Sequence, residues 1–219
     1  MNSFLEKDDS IRLEIIKFLS QSVDQWVNGE ELAEMTNFST KKITSLIKTI
    51  NEDLKNVYDN EYVIKSTSGR GYCLEEIPDT WKKLEIFYYE RSLSFLFIKE
   101  ILFNSELTIV GFCIDNYISI ATLNRKIQRI LPILNTFDLK ININKGRLIG
   151  SELRVRQFYF ELLKNVYGNY QWPMENISQK NIEHRVEDLN QAINANVNFI
   201  DRYLMEIYVC IFRYSNAAA

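Results

Sequence analysis

The feature that most limits what this chain can fold into is that it repeats itself. At an offset of 80 residues Leu32 falls on Phe112, Ala33 on Cys113, Phe38 on Ile118 and Ser39 on Ser119. Further along, Ile43 falls on Leu123, Ile47 on Ile127, Ile50 on Ile130 and Leu54 on Leu134. Core and cap types return in one register without a gap, which predicts two copies of one supersecondary unit. Small Ala33 and Cys113 stand where two helices of such a unit approach closely.

The second copy is the plainer. Ser119 is an N-cap for a helix whose inner face carries Leu123, Ile127, Ile130 and Leu134. Thr122, Asn124, Arg125, Gln128 and Arg129 take the other face. Pro132 lacks a backbone donor and should end or kink this helix near Leu131. Two β-like runs follow, Leu139 to Asn142 and Arg147 to Ile149, joined through Asn144-Lys145-Gly146. A capped polar-basic helix and a hairpin with cations near its tip make the pattern of a winged helix-turn-helix.

The first copy has the same order of parts. Ser10 begins a helix with Ile11, Ile15, Phe18 and Leu19 inward, and Glu30 to Thr36 is a short second helix. Ser39 opens a third, with Lys41, Lys42 and Lys48 in its first three turns and no acid before Glu52. Tyr62-Val63-Ile64 and Tyr72-Cys73-Leu74 flank Ser68-Gly69-Arg70-Gly71, a hairpin with an arginine at its tip. Pro78 closes this unit. Thr80 then caps a long aromatic helix from Trp81 to about Phe103, and Glu106 to Asn116 is a short one.

The expected fold is mainly α with small β-hairpin wings: tandem winged helix-turn-helix domains followed by a helical segment. The first domain takes 1–78 and the second 79–150, with a linker helix over 81–103. A connecting helix takes 151–169, with Phe158, Leu162, Leu163 and Val166 inside. The start of a helical domain takes 170–216, its helices over 178–195 and 197–215. Their inner faces carry Ile182, Val186, Leu189 and Ile193, then Ile200, Leu204, Ile207 and Ile211. Residues 217–219 (Ala217-Ala218-Ala219) read as an added tail.

Charge is distributed unevenly. Net charge is −4 over residues 1–75, −3 over 76–116, +5 over 117–150 and −1 over 151–219, within a total of −3. Nucleic-acid binding needs a local cationic face rather than a basic whole. The apolar run Leu84 to Phe103 contains Glu85, Glu90, Arg91, Lys99 and Glu100, too costly for a bilayer core, so no membrane contact is expected. Cys73, Cys113 and Cys210 have neither zinc nor disulfide spacing and read as buried thiols of a reduced compartment, the cytoplasm.

A helix presenting Lys, Arg, Thr, Ser and Asn from its N-terminal half suits a major groove, where Arg reads guanine and Asn reads adenine bidentately. The candidates for duplex DNA are Thr40, Lys41, Lys42, Thr44, Ser45 and Lys48 in the first copy, with Thr122, Asn124, Arg125 and Arg129 in the second. Arg70, Lys145 and Arg147 in the wings would meet phosphates, positioning more than specifying. The alternative is a regulatory protein-docking module, with Asp8, Asp9, Glu30, Glu31 and Glu34 as a partner face. Enzyme signals are absent: no P-loop, nucleophile elbow or metal-ligand spacing, and no cofactor motif. His184 is the sole histidine and reads either as a surface side chain or as a phospho-acceptor.

Two tandem units, a long aromatic helix and the run Gly150-Ser151-Glu152-Leu153-Arg154-Val155-Arg156-Gln157-Phe158-Tyr159-Phe160 leading into helices resemble the Mga/AtxA family of virulence regulators. Ser39 to Lys48 and Ser119 to Arg129 match that family's recognition helices, and Arg70 and Arg147 its wings. The resemblance implies an activator of virulence or sugar-responsive genes bound to promoter DNA. It also implies helical phosphotransferase-system regulation domains (PRDs) addressed by a phosphocarrier, a homodimer, and a longer protein of which this is the N-terminal part. The Gly69-Arg70-Gly71-Tyr72 wing is also similar to biotin ligase repressors, but nothing after Gly150 offers their substrate loop.

Overall fold

The computed structural model describes residues 2–59, 61–75, 81–104, 106–174, 177–192 and 199–214. The chain divides into two compact units, one of residues 4–88 and one from residue 89 onward. The expectations for Pro78, Thr80, Ile193, the side chains of Leu189 and Ile200, and the alanine tail lie outside the described residues.

The N-terminal unit contains α1 (Lys7–Ser20), α2 (Gly29–Thr36), α3 (Thr40–Tyr58), β1 (Ile64–Thr67), β2 (Gly71–Leu74) and, up to Tyr88, α4 (Lys82–Glu90). Helix α1 starts three residues ahead of Ser10, with Asp8 and Asp9 in its first turn, where carboxylates favour the helix dipole. Asn28 caps α2 by accepting from the Glu30 N–H, and Ser39 caps α3 by accepting from the Lys42 N–H. Between them Asn37 turns the chain with a left-handed backbone. Ile15, Leu19, Leu32, Ile43, Ile50 and Leu54 are fully buried, each stabilising the unit by about 1.5–3 kcal/mol.

A polar cluster ties the helices of this unit together. Arg12 of α1 pairs with Asp9 and stands 3.5 Å from Asp53 of α3, and the Tyr88 hydroxyl donates to Asp53 at 2.9 Å. The Arg12 guanidinium also lies 5.6 Å from the centre of the Tyr88 ring. Burial of the two carboxylates is tolerated because both are paired and hydrogen-bonded.

The antiparallel hairpin runs in the register Ile64↔Leu74 to Thr67↔Gly71, two residues later on its first strand than expected. It has a third partner. Val27 and Tyr72 exchange both backbone hydrogen bonds, at 2.8 and 2.9 Å, so the segment before α2 edges the wing.

The second unit contains α5 (Leu93–Phe103), α6 (Ile109–Asp115), α7 (Ile120–Gln128), α8 (Leu131–Thr136), β3 (Lys140–Asn142), β4 (Arg147–Ile149), α9 (Glu152–Tyr167), α10 (Gln179–Ala192) and α11 (Phe199–Tyr214). The expected single helix over 81–103 is therefore two, α4 and α5. The break has a local cause. Ser92 takes an extended backbone and accepts from the Leu96 N–H to start α5, while its buried hydroxyl meets Ser94 Oγ at 3.2 Å. Helix α6 is shorter than 106–116 because Thr108 caps it, accepting from the Gly111 N–H. Pro132 breaks the third helix as expected, sitting in the first turn of α8, where its missing donor costs nothing.

The core of this unit is aromatic. Phe97 and Phe112 meet edge to face at 4.9 Å, as do Phe137 and Phe158 at 5.4 Å. The Tyr159 hydroxyl donates to the Ile98 carbonyl at 3.0 Å, docking α9 on α5, and full burial raises its pKa far above the ordinary phenol value. Ile182 and Val186 of α10 and Ile207 and Ile211 of α11 are buried, and Gln179 donates to the buried Glu206 carboxylate at 2.8 Å. All three cysteines are free and buried. Among the described residues no helix is long and apolar enough to cross a membrane.

Candidate nucleic-acid interface

In the first unit the third helix is aimed outward by its own periodicity. Ile43, Leu46, Ile47 and Ile50 go to the core, leaving Thr40, Lys41, Thr44, Ser45 and Lys48 exposed. Two candidates are already engaged. Lys42 Nζ pairs with Asp8 Oδ2 of α1 at 2.7 Å. The Thr44 hydroxyl lies 2.9 Å from the Tyr72 hydroxyl of the wing and 3.1 Å from the Thr40 carbonyl. Lys41, Ser45 and Lys48 thus form the outward polar surface of α3, with Thr40 at its first turn.

Arg70 sits at the wing tip, exposed, with its guanidinium 5.0 Å from the centre of the Trp26 ring. This cation–π contact limits the directions the arginine can take. Sequence reasoning missed Trp26, and it missed Asn51. The Asn51 amide accepts from the Ile64 N–H at 2.8 Å and donates to the Ile64 carbonyl at 2.9 Å, fastening the first wing strand to α3. A lone polar residue on a long helix carries no sequence signal for such a role.

In the second unit Arg125 and Arg129 are exposed, Thr122 and Asn124 half-buried. Thr122 is partly used by the cap: Ser119 Oγ accepts from its N–H at 3.1 Å and lies 2.9 Å from its hydroxyl. Lys145 and Arg147 are exposed on the hairpin, where Asn142 accepts from the Lys145 N–H to close the turn.

The two units agree in detail. N-caps fall at Asn28 and Thr108 and again at Ser39 and Ser119, and the left-handed turn residues are Asn37 and Tyr117. In each, a wing glycine with positive φ presses on the carbonyl ahead of the second helix. A β-carbon on Gly71 would meet the Val27 oxygen at 2.1 Å, and one on Gly146 the Leu107 oxygen at 2.7 Å. Val27 and Leu107 are themselves 80 residues apart.

His184 is exposed on α10. Among the described residues no cluster of three or more His, Cys, Asp or Glu could hold a metal ion.

A three-helix core, a capped cation-bearing third helix and a clasped hairpin, built twice, define a tandem winged helix-turn-helix protein. Residues 11–73 match a helix-turn-helix domain, and residues 80–163 match the Mga helix-turn-helix domain. In these matches the chain is similar to the Mga/AtxA-like family of regulators. It is 22% identical over 209 residues to the capsule synthesis positive regulator AcpB of Bacillus anthracis, covering 94% of this chain and 42% of that protein. It is 26% identical over 172 residues to the capsule synthesis positive regulator AcpA of the same organism, covering 77% of this chain and 34% of that one. The chain thus spans about two fifths or less of the length of these curated relatives.

Proposed function

We propose that this chain is the DNA-reading part of a transcription activator. Helices α3 and α7 enter the major groove of promoter DNA, and the two hairpins grip the flanking phosphates. The observation that carries this is the duplicated, outward-facing cationic third helix, each copy backed by a glycine-clasped hairpin. Thr40, Lys41, Ser45 and Lys48 serve the first contact and Asn124, Arg125 and Arg129 the second. Lys42, Thr44 and Thr122 order the reading helices as well as facing the groove, and Arg70, Lys145 and Arg147 neutralise phosphate. The role is binding rather than catalysis, and it belongs in the cytoplasm, where promoter DNA is.

Support for activation comes from the relatives, both named as positive regulators of capsule synthesis. Capsule or another virulence trait is the matching target for this chain. The longer protein would dimerise, and exposed His184 would accept phosphate from a phosphotransferase-system phosphocarrier.

The test is a gel-shift titration against promoter fragments. Arg125→Ala and Arg129→Ala should each cost about 1–3 kcal/mol where the arginine bonds a base. Affinity should fall with salt with a log–log slope of about −0.9 per phosphate neutralised. Unchanged affinity in the double variant removes α7 from the readout.

One observation favours a second reading, a protein-docking role for the first unit. Glu30, Glu31 and Glu34 are exposed on α2, and Lys42 is held by Asp8. A partner captured independently of salt, with no retention on DNA at low salt, would select it.

A further inference from the structure

The two copies differ sharply at four matched surface positions. The first copy has Glu30, Glu34, Asn37 and Thr40, all exposed. The second has Val110, Ile114, Tyr117 and Ile120, exposed at 52%, 68%, 96% and 43%. Two of these, Val110 and Ile114, share a face of α6. The other two stand where the turn delivers the chain into α7: Tyr117 is the turn residue, and Ile120 is the first residue after the cap Ser119.

Tyr117 is the oddest of the four. Its φ of 54° is a left-handed conformation that Asn and Gly adopt readily and that a bulky side chain seldom does. The first copy has the expected asparagine there, Asn37, at φ 55°. An aromatic side chain held in that backbone and almost wholly in solvent is not explained by packing.

The surroundings say what would cover it. Exposed Arg125 and Arg129 follow on the same helix, exposed Lys145 and Arg147 lie on the hairpin, and residues 117–150 hold six cations against the single acid Asp138. That complements a polyanion. The apolar feature a polyanionic duplex offers in its major groove is the 5-methyl group of thymine, and the N-terminal residues of a recognition helix are the ones that reach base edges.

We propose that Tyr117 and Ile120 form an apolar contact that reads thymine 5-methyl groups at the entry of α7, giving the second unit a preference the first lacks. The inference rests on the DNA-reading role proposed above. It assigns selectivity to two residues outside the cationic set.

The test starts from a duplex enriched by the 219-residue chain from a random-sequence pool, synthesised once with thymidine and once with deoxyuridine throughout. The proposal expects the methyl-free duplex to bind about fourfold more weakly for each contacted thymine, the effect of withdrawing one methylene-sized apolar group. Tyr117→Ala/Ile120→Ala should bind the two duplexes alike, while Val110→Ala/Ile114→Ala should keep the discrimination. Circular dichroism checks that both variants fold. Equal affinity of the unaltered chain for both duplexes overturns the methyl contact while leaving DNA reading intact. Discrimination that survives in the Tyr117/Ile120 variant, or vanishes in the Val110/Ile114 variant, also overturns it. A pool that yields no enriched sequence and no binding removes the DNA role itself, and this contact with it.

Discussion

The Asn51 side chain brackets the backbone of Ile64, taking its N–H at 2.8 Å and giving to its carbonyl at 2.9 Å. One residue of α3 thereby supplies the two bonds that a neighbouring strand would have supplied. Asn51→Ala leaves both backbone groups of a buried residue without their partner. It should destabilise the N-terminal unit by about 2–6 kcal/mol in urea melts, since each orphaned group costs about 1–3 kcal/mol. Asn51→Asp keeps the acceptor and should lose less.

The wing glycines should rank by what stands in front of them. Gly71→Ala meets the Val27 carbonyl at 2.1 Å with φ at 100°, and should cost about 3 kcal/mol or more. Gly146→Ala, at 2.7 Å from the Leu107 carbonyl, should cost somewhat less. Gly69→Ala has open space and only its φ of 77° against it, so about 1 kcal/mol is expected. Thermal unfolding of the three variants checks the order.

Lys42 is a cation held by an anion on the candidate DNA face. The pair is partly exposed and contributes only about 0–1 kcal/mol to stability. Asp8→Asn should therefore leave the melting temperature almost unchanged. It should tighten DNA binding and steepen the log–log salt dependence by about one unit, because a freed lysine can neutralise one more phosphate. A weaker complex would show that the pair aims α3 rather than restraining it.

Burial pushes the Cys210 thiol up from 9.0 to about 12. In the unfolded chain it ionises first, so between about pH 9 and 12 the unfolded state binds fewer protons than the folded one. Stability is then fully present below pH 9 and is lost as pH rises toward 12. Urea melts across that window should show the fall, with a shallower slope in Cys210→Ala. Ellman's reagent should label Cys210 only as the unit unfolds.

How far the residues announce their structure depends on the kind of signal. Ser39, Ser119 and Pro132 are local devices, and each does in the structure what its chemistry requires. The break between α4 and α5 was not legible, because Ser92 lies in an apolar run with no proline or glycine to mark it. Periodicity keeps Lys42, Thr44 and Thr122 off the buried faces of their helices, Thr44 exposed and the other two half-buried. It could not reveal Asp8, Tyr72 and Ser119 as their partners, since spacing along one helix is silent about neighbouring elements. Trp26 beneath Arg70 and the Val27 edge of the wing are contacts between distant residues and leave no pattern in the chain.

The carbonyls of Val27 and Leu107 have a further consequence. Each occupies the space that any side chain at the wing glycine would need, so the two halves of this chain exchange a serine for an arginine (Ser45, Arg125) and a glutamate for an isoleucine (Glu34, Ile114) while each keeps its glycine. The outward faces of the two copies thus differ in chemistry, while the close approach behind each hairpin is the same.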